Sequence, residues 1–187
     1  MSKSCALVLK YKMDMVHKIL AVTLMAAGLT FGQSSPPAQA TVMVGGKSIA
    51  VRYSAPSVRG RKIFGPGGLL SRDPTYPIWR AGANSATSFH TDADLTIGTL
   101  NVPKGDYTLY VSVKDPEAWE LVISKATGQW GLDYYPDKDL GRVKMAMSKP
   151  PALVERLQYT LTADGANTAK LQIEWEHHVA SVTMAVK

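Results

Sequence analysis

The stretch "IWRAGANSATSF", Ile78 to Phe89, contains side chains that are suited to holding a polar ligand. Arg80 offers five N–H donors in a rigid fork, and the amide of Asn84 offers both donors and an acceptor. Gly82 lets a ligand or a second segment approach the backbone closely. A carboxylate, a phosphate or a sugar hydroxyl would suit this set. The structural alternative is that Arg80 pairs with an acid of the protein itself and Asn84 caps a turn.

A second group of cations, in "RGRKIFG", places Arg59, Arg61 and Lys62 around a glycine turn. Such a group can bind an anion, and solvated surface charge is the simpler explanation. It is not a phosphate loop, because Gly46-Lys47-Ser48 lacks the required glycine five residues earlier.

The sequence "HTDAD" alternates His90, Asp92 and Asp94, so an extended chain would direct all three to one side. Two carboxylates and an imidazole are ligands for a divalent cation, but three residues of one strand do not complete a coordination shell. We therefore predict no metal and no cofactor. The pair His177-His178 is explained by a hairpin turn, since neighbours on a strand point to opposite faces.

No catalytic motif selects a nucleophile or a general base: G-x-S-x-G, H-E-x-x-H and S-x-x-K do not occur in the chain. A triad assembled by folding around His90, or a pair of carboxylates, stays open. Whether the protein is an enzyme is therefore left undecided.

Tryptophans and tyrosines could stack against sugar rings if they are exposed. Trp119 and Trp175 have alternating neighbours that favour the core. Trp79 directly precedes Arg80 of the polar motif, and Trp130 lies in a segment without periodicity, so both are candidates for ligand contact.

The segments that must position these residues alternate with a period of two. "SIAVRYS", "YTLYVSV", "LQYTLTA" and "LQIEWE" each put apolar residues on one face and polar residues on the other. Gly45-Gly46 and the stretch from Asp164 to Asn167 are typical turns between strands. This pattern predicts an all-β protein, an antiparallel β-sandwich in a single domain. "DKDLGRV" is the one candidate for a helical turn.

Two segments, Ser54–Pro77 and Ser124–Arg142, break the alternation. Long irregular loops in a compact domain are more often functional than mere connections. We therefore expect the two segments to meet at one end of the sandwich.

The first forty residues are typical of a secretory leader. Lysines precede "ILAVTLMAAGLTF", which is thirteen residues without a charge, and "AQA" at Ala38–Ala40 fits a cleavage site. A cut after Gly32 fits about as well. We predict a leader over residues 1–40, a β-sandwich domain over 41–187, and a soluble product in the periplasm or outside the cell. The one cysteine, Cys5, lies in the leader, so the mature chain has no thiol.

The formal net charge of +6 includes four lysines of the leader. The net positive charge outside the leader is too small to indicate nucleic-acid binding. We predict no nucleic-acid partner and no membrane anchor in the mature chain.

Several separated motifs resemble one family. "YSAPSVRGRKIFG", "WRAGANSAT", "DLTIG", "VPKGDYTLYV", "TGQWG" and "DLGRVKM" occur in order, and the chain from about Thr41 to Lys187 resembles the bacterial secreted family catalogued as domain of unknown function 2911. The resemblance implies a β-sandwich behind a signal peptide and implies no activity. Two departures stand out: Ser124 replaces a common asparagine, and the loop before Trp79 is longer.

Three functions remain open. The first is a non-enzymatic module that binds a small polar or anionic ligand or a glycan, with contacts from Arg59, Lys62, Trp79, Arg80, Asn84 and Trp130. The second is a hydrolase with a spatially assembled acid/base site that uses His90 or two acids. The third is an envelope interaction module that adds a strand to a partner at a sheet edge.

Overall fold

The alternating segments form strands in the structure, a computed structural model that describes residues 34–187. In chain order these are β1 (Pro37–Val44), β2 (Lys47–Ser54), β3 (Ile78–Trp79), β4 (Thr87–Thr91), β5 (Leu95–Ile97), β6 (Leu100–Val102), β7 (Gly105–Ser112), β8 (Glu120–Ser124), β9 (Asp139–Lys144), β10 (Ala146–Ser148), β11 (Val154–Ala163), β12 (Thr168–Glu176) and β13 (His178–Val186). Within the described residues there is no α-helix.

The strands form two antiparallel sheets that pack against each other, which confirms the predicted fold class. Sheet 1 has the order β1-β2-β4-β7-β8-β9, with β3 also paired to β7. Sheet 2 has the order β11-β12-β13-β5-β6, with β10 also paired to β13. Gly45 and Gly46, both with positive φ, make the two-residue turn between β1 and β2, which is the geometry that such hairpins require.

The core lies between the sheets and is built from the apolar face of each strand. Ile49 and Val51 of β2 and Leu171 and Ile173 of β12 are completely buried there, as the period of two predicts. The irregular segment before β3 also enters this core, since Phe64 is buried among the aromatic rings.

Strands β7 and β8 depart from the prediction of one dry face and one wet face. Thr108, Tyr110 and Ser112 point away from the core and are nevertheless buried. The reason is the segment of residues 125–138 between β8 and β9, which lies across the outer face of sheet 1 and which we call the crossing loop. Its residue Gln129 donates from Nε2 to Tyr110 OH at 2.9 Å and to Thr108 Oγ1 at 3.3 Å.

The crossing loop is also held at both ends. The hydroxyl of Ser124 accepts a hydrogen bond from the amide of Ala126. At the far end, Tyr134 packs on a small apolar cluster of Ile78, Tyr110 and Val122. The expected helical turn is only partly correct: Pro136–Lys138 forms a single 3-10 turn and the rest of "DKDLGRV" belongs to β9.

The first strand begins before the predicted domain boundary. Pro37–Ala40 pair in register with Val51–Ser54, so cleavage after Ala40 would remove half of β1. Cleavage after Gly32 would leave the strand whole, and both cuts stay predictions. The predicted apolar run of the leader lies outside the described residues. Among residues 34–187, no helix has the length and apolar character needed to cross a membrane.

Candidate functional site

Three of the predicted ligand contacts, Arg80, Asn84 and Trp130, come together where the crossing loop meets the segment after β3. Gly131 N donates to Asn84 O at 3.0 Å, and Trp130 forms a bridge with Ser85. A Cβ on Gly131 would lie 2.3 Å from Arg80 Cδ, so the loop backbone rests directly on the arginine side chain. The indole of Trp130 is 51% exposed and is available to a ligand.

The guanidinium of Arg80 is poorly satisfied by the protein. Its Nη2 lies 3.8 Å from Asp73 Oδ2, which is an ion pair at the long limit. Its Nε and Nη1 are buried and have no hydrogen-bond partner within the described part of the chain. Arg80 therefore pairs with an acid of the protein itself, as the structural alternative expects, but only through one long contact with Asp73.

The other three predicted contacts lie elsewhere. Trp79 is 2% exposed and belongs to the core, so its placement leaves no ring face for a ligand. Lys62 Nζ donates to Pro66 O at 2.8 Å. The amide of Arg59 donates to Glu155 Oε1 at 2.9 Å, beside β11 of the second sheet. The two segments still meet in the core, where Phe64 of "RGRKIFG" packs edge-on against Trp79 at 5.4 Å.

The crossing loop leaves one open cleft on each side of it. The wide cleft, of about 610 Å³, is lined among others by Ile78, Ser112, Lys114, Glu120, Arg142 and Lys144. The narrow cleft, of about 330 Å³, is lined among others by Arg52, Ser88, His90, Asp106, Thr127 and Gly128. Both lie on the outer face of sheet 1, because Ser88 pairs with Thr108 and Ser112 lies on the same side of β7 as Thr108.

His90 in the narrow cleft is held between two carboxylates. Its Nδ1 lies 2.7 Å from Asp106 Oδ1, and its Nε2 lies 3.0 Å from Asp92 Oδ1. Because an ionised carboxylate only accepts, this geometry favours the imidazolium form, in which both ring nitrogens donate. The hydrogen bonds to Asp92 and Asp106 raise the pKa of His90 above its ordinary 6.5. The same contact with His90, and then the Ser48 amide, lower the pKa of Asp92.

This arrangement differs from the one expected of "HTDAD". Asp106, from β7, takes the place that the alternation gives to Asp94, whose Oδ1 instead accepts from the Lys104 amide. The two carboxylates contact opposite ring nitrogens of His90, so they do not converge on one point. Within residues 34–187, no group of three His, Cys, Asp or Glu side chains has the geometry to hold a metal ion.

The surroundings of His178 shift its pKa in the direction opposite to that of His90. His177 occupies the turn between β12 and β13, as expected, and His178 is the first residue of β13. Its ring stacks on Trp119 at a centroid distance of 5.2 Å. Burial lowers the pKa of His178, although nearby Glu176 opposes this.

We predict that His90 stabilises the fold at mildly acidic pH. A raised folded-state pKa makes the contribution complete below the ordinary value of 6.5, and the contribution is lost as pH rises through the folded pKa. The difference in unfolding free energy between the wild type and His90→Gln should therefore be larger at about pH 5.5 than at about pH 8.5. The effect should be small, because the His90 side chain is 38% exposed.

Urea denaturation of both proteins at each pH measures this difference. His178 is present in both, so its opposite trend, a loss of stability as pH falls below 6.5, cancels in the comparison. If the difference in unfolding free energy between the two proteins instead grows toward alkaline pH, the raised pKa of His90 is contradicted.

Arg142, in the wide cleft, is held from the crossing-loop side. Its Nη2 donates to Tyr134 OH at 2.9 Å and to Asp139 Oδ2 at 3.3 Å. Tyr134 OH in turn donates to Asp139 Oδ2 at 2.5 Å. Burial, followed by the bond to Asp139, raises the pKa of Tyr134 to about 12, so the phenol stays neutral and keeps the guanidinium in place.

Sequence reasoning missed most residues of the wide cleft. Arg142 and Lys144 alternate in "GRVKM" and so share a strand face, which was an available signal. Lys114, Glu120 and Ser112 have no such signal, because only the pairing register between strands brings them together.

The fold is that of a two-sheet antiparallel β-sandwich protein. The chain belongs to the family DUF2911, described as a protein of unknown function, whose family model matches residues 35–184. This confirms the resemblance, while bacterial origin and secretion stay predictions. No curated protein and no solved structure matches the chain.

Proposed function

We propose that the protein is an exported, non-enzymatic binding module that holds a small polar or anionic ligand or a glycan on the outer face of sheet 1. The observation that carries this proposal is the crossing loop, which turns a sheet face into two clefts with converging polar side chains. Concave sites with a few convergent polar groups are the usual form of small-molecule sites.

The exposed indole of Trp130 supports the same surface. The other tryptophans, Trp79, Trp119 and Trp175, are at most 2% exposed, whereas Trp130 lies half open on the crossing loop. An aromatic side chain left in solvent beside polar clefts is suited to stack on a ligand ring. Arg80 and Asn84 then serve mainly to hold the loop, through the packing of Gly131 on Arg80 and the hydrogen bond from the Gly131 amide to Asn84 O.

A binding titration tests the proposal. Calorimetry against neutral sugars, sugar acids, carboxylates and phosphate esters should find at least one class that binds. Because Trp130 is the exposed indole, binding should also change the tryptophan emission, and Trp130→Phe should remove that change. A panel in which nothing binds at about 10 mM, which corresponds to a free energy weaker than about −3 kcal/mol, would contradict the proposal.

One observation favours a hydrolase as a second candidate, namely His90 paired with Asp106 inside a cleft. A base needs a free nitrogen, however, and the Nε2 of His90 is occupied by Asp92. Turnover of ester or glycoside substrates that disappears in His90→Gln would replace the binding proposal. The envelope-interaction alternative has less support, because the edge strands β1 and β9 of sheet 1 lie beside the edge strands β11 and β6 of sheet 2.

A further inference from the structure

The floor of the wide cleft is a row of side chains that crosses four strands. Ile78 of β3 pairs with Ser112 of β7, Ser112 pairs with Glu120 of β8, and Glu120 pairs with Lys144 of β9. Adjacent strands are about 4.8 Å apart, so the row extends over roughly 14 Å. It offers an apolar end, a hydroxyl, a carboxylate and an ammonium in that order.

The cationic end of this row is strengthened by Arg142 and Lys114. Arg142 pairs with Val122 in the next row, and it uses only its Nη2 for Tyr134 and Asp139. Its Nε and Nη1 make no hydrogen bond within residues 34–187, and neither Lys114 nor Lys144 forms an ion pair there. Three cations, Lys114, Arg142 and Lys144, thus line one cleft together with two carboxylates, and Arg142 is also ion-paired with Asp139.

The acidic groups of the cleft are not equivalent. Asp115 Oδ1 accepts from the amide of Glu117 at 2.9 Å and so closes a local turn. Glu120 makes no ion pair or side-chain hydrogen bond within the described residues, although it pairs across the strands with Lys144. A carboxylate without a partner in a cleft is a ready acceptor for ligand hydroxyl groups.

We infer that the wide cleft binds a hydroxylated carboxylate of sugar size, with the ligand carboxylate on Arg142 and Lys144 and its hydroxyl groups on Glu120 and Ser112. The inference rests on the proposed binding function and narrows it to one ligand class. Charge-assisted bonds from a guanidinium held in place are the strong part of such recognition. Ile78 and Ala118 supply the apolar wall for the carbon skeleton.

Three probes of similar size separate the two halves of the inference: D-glucuronate, D-glucose and cyclohexanecarboxylate. The wild type should bind glucuronate at least about tenfold more tightly than either of the others, because glucose lacks the carboxylate and cyclohexanecarboxylate lacks the hydroxyls. Arg142→Gln and Lys144→Gln should remove the preference over glucose. Glu120→Ala should remove the preference over cyclohexanecarboxylate.

Lys104→Gln is the matched control, because it removes one exposed positive charge outside the wide cleft. It should leave glucuronate affinity within about twofold, apart from a small long-range effect that salt screens. Lys144 is exposed and makes no side-chain hydrogen bond within the described residues, so Lys144→Gln should keep the wild-type melting temperature. Arg142→Gln also removes the contacts with Tyr134 and Asp139, so its melting temperature is measured beside its binding.

The inference is overturned if glucose binds as tightly as glucuronate, or if Arg142→Gln leaves glucuronate binding unchanged in a folded protein. It is also overturned if inorganic phosphate binds more tightly than glucuronate, since the cleft would then recognise a bare oxyanion. A neutral sugar whose binding survives Arg142→Gln would remove this inference and leave the proposed binding function intact. A chain that binds none of the ligand classes loses both.

Discussion

Replacing Trp79 with alanine is expected to lower the free energy of unfolding by about 3–5 kcal/mol, the usual cost of removing a large buried aromatic side chain. The same change at Trp130 should alter it by less than about 0.5 kcal/mol, as for other exposed positions. The two substitutions are chemically identical, so the contrast measures burial alone.

The large effect follows from the aromatic cluster around Trp79. Its ring stacks on Trp175 with centroids 5.5 Å apart, and it meets Phe64 edge-on at 5.4 Å and Trp119 at 6.0 Å. Truncation to alanine removes these contacts and leaves a cavity between rigid rings that cannot close around it. Trp79→Phe should recover part of the loss, because the buried indole Nε1 makes no hydrogen bond to the described residues.

Urea denaturation followed by far-ultraviolet circular dichroism is the measurement. It does not depend on tryptophan fluorescence, which both substitutions alter. Equal destabilisation by Trp79→Ala and Trp130→Ala would show that the core assignment is wrong. A ligand effect confined to Trp79→Ala in a fully stable protein would return Trp79 to the binding surface predicted from the sequence.

Trp79 also shows where sequence reasoning stops. The alternation in "SIAVRYS" or "LQIEWE" depends only on local geometry, since successive side chains of a strand point to opposite faces. It therefore predicts the sandwich and places Trp175 in the core. Trp79 belongs to a strand of two residues, which is too short to show a period, and its neighbour Arg80 suggests a surface instead.

The candidate site is less predictable because it depends on pairing between distant strands. The contact of Arg80 with Gly131 and the row from Ile78 to Lys144 require the order and register of sheet 1. The crossing loop has no periodicity that would place it on the sheet, although it is what buries Tyr110 on the outer face. Sequence alone thus identifies some of the participants and not their arrangement.

The second large effect is expected at Gly131, where the crossing loop lies against the segment between β3 and β4. An added Cβ would lie 2.3 Å from Arg80 Cδ and 2.5 Å from the carbonyl oxygen of Asn84. The arginine side chain can move, but the carbonyl belongs to the backbone that accepts the Gly131 amide. Gly131→Ala should therefore displace the loop and destabilise the protein by about 1–3 kcal/mol, as overpacking does.

Tyr134 of the crossing loop holds Arg142 of the wide cleft. The same substitution should therefore weaken ligand binding by about tenfold or more, since loop displacement moves Tyr134 and releases Arg142. Thermal unfolding and calorimetry with the same ligand measure the two effects separately. Trp130→Ala is the control for stability only, because it truncates an exposed neighbour without crowding the backbone, while Trp130 itself belongs to the proposed binding surface. The double variant Arg80→Ala/Gly131→Ala should recover only part of the stability, since it removes the contact with Arg80 and leaves the one with Asn84. If Gly131→Ala changes neither stability nor binding, the close contact of the crossing loop with Arg80 and Asn84 is contradicted, and so is the role of that loop in the proposed function.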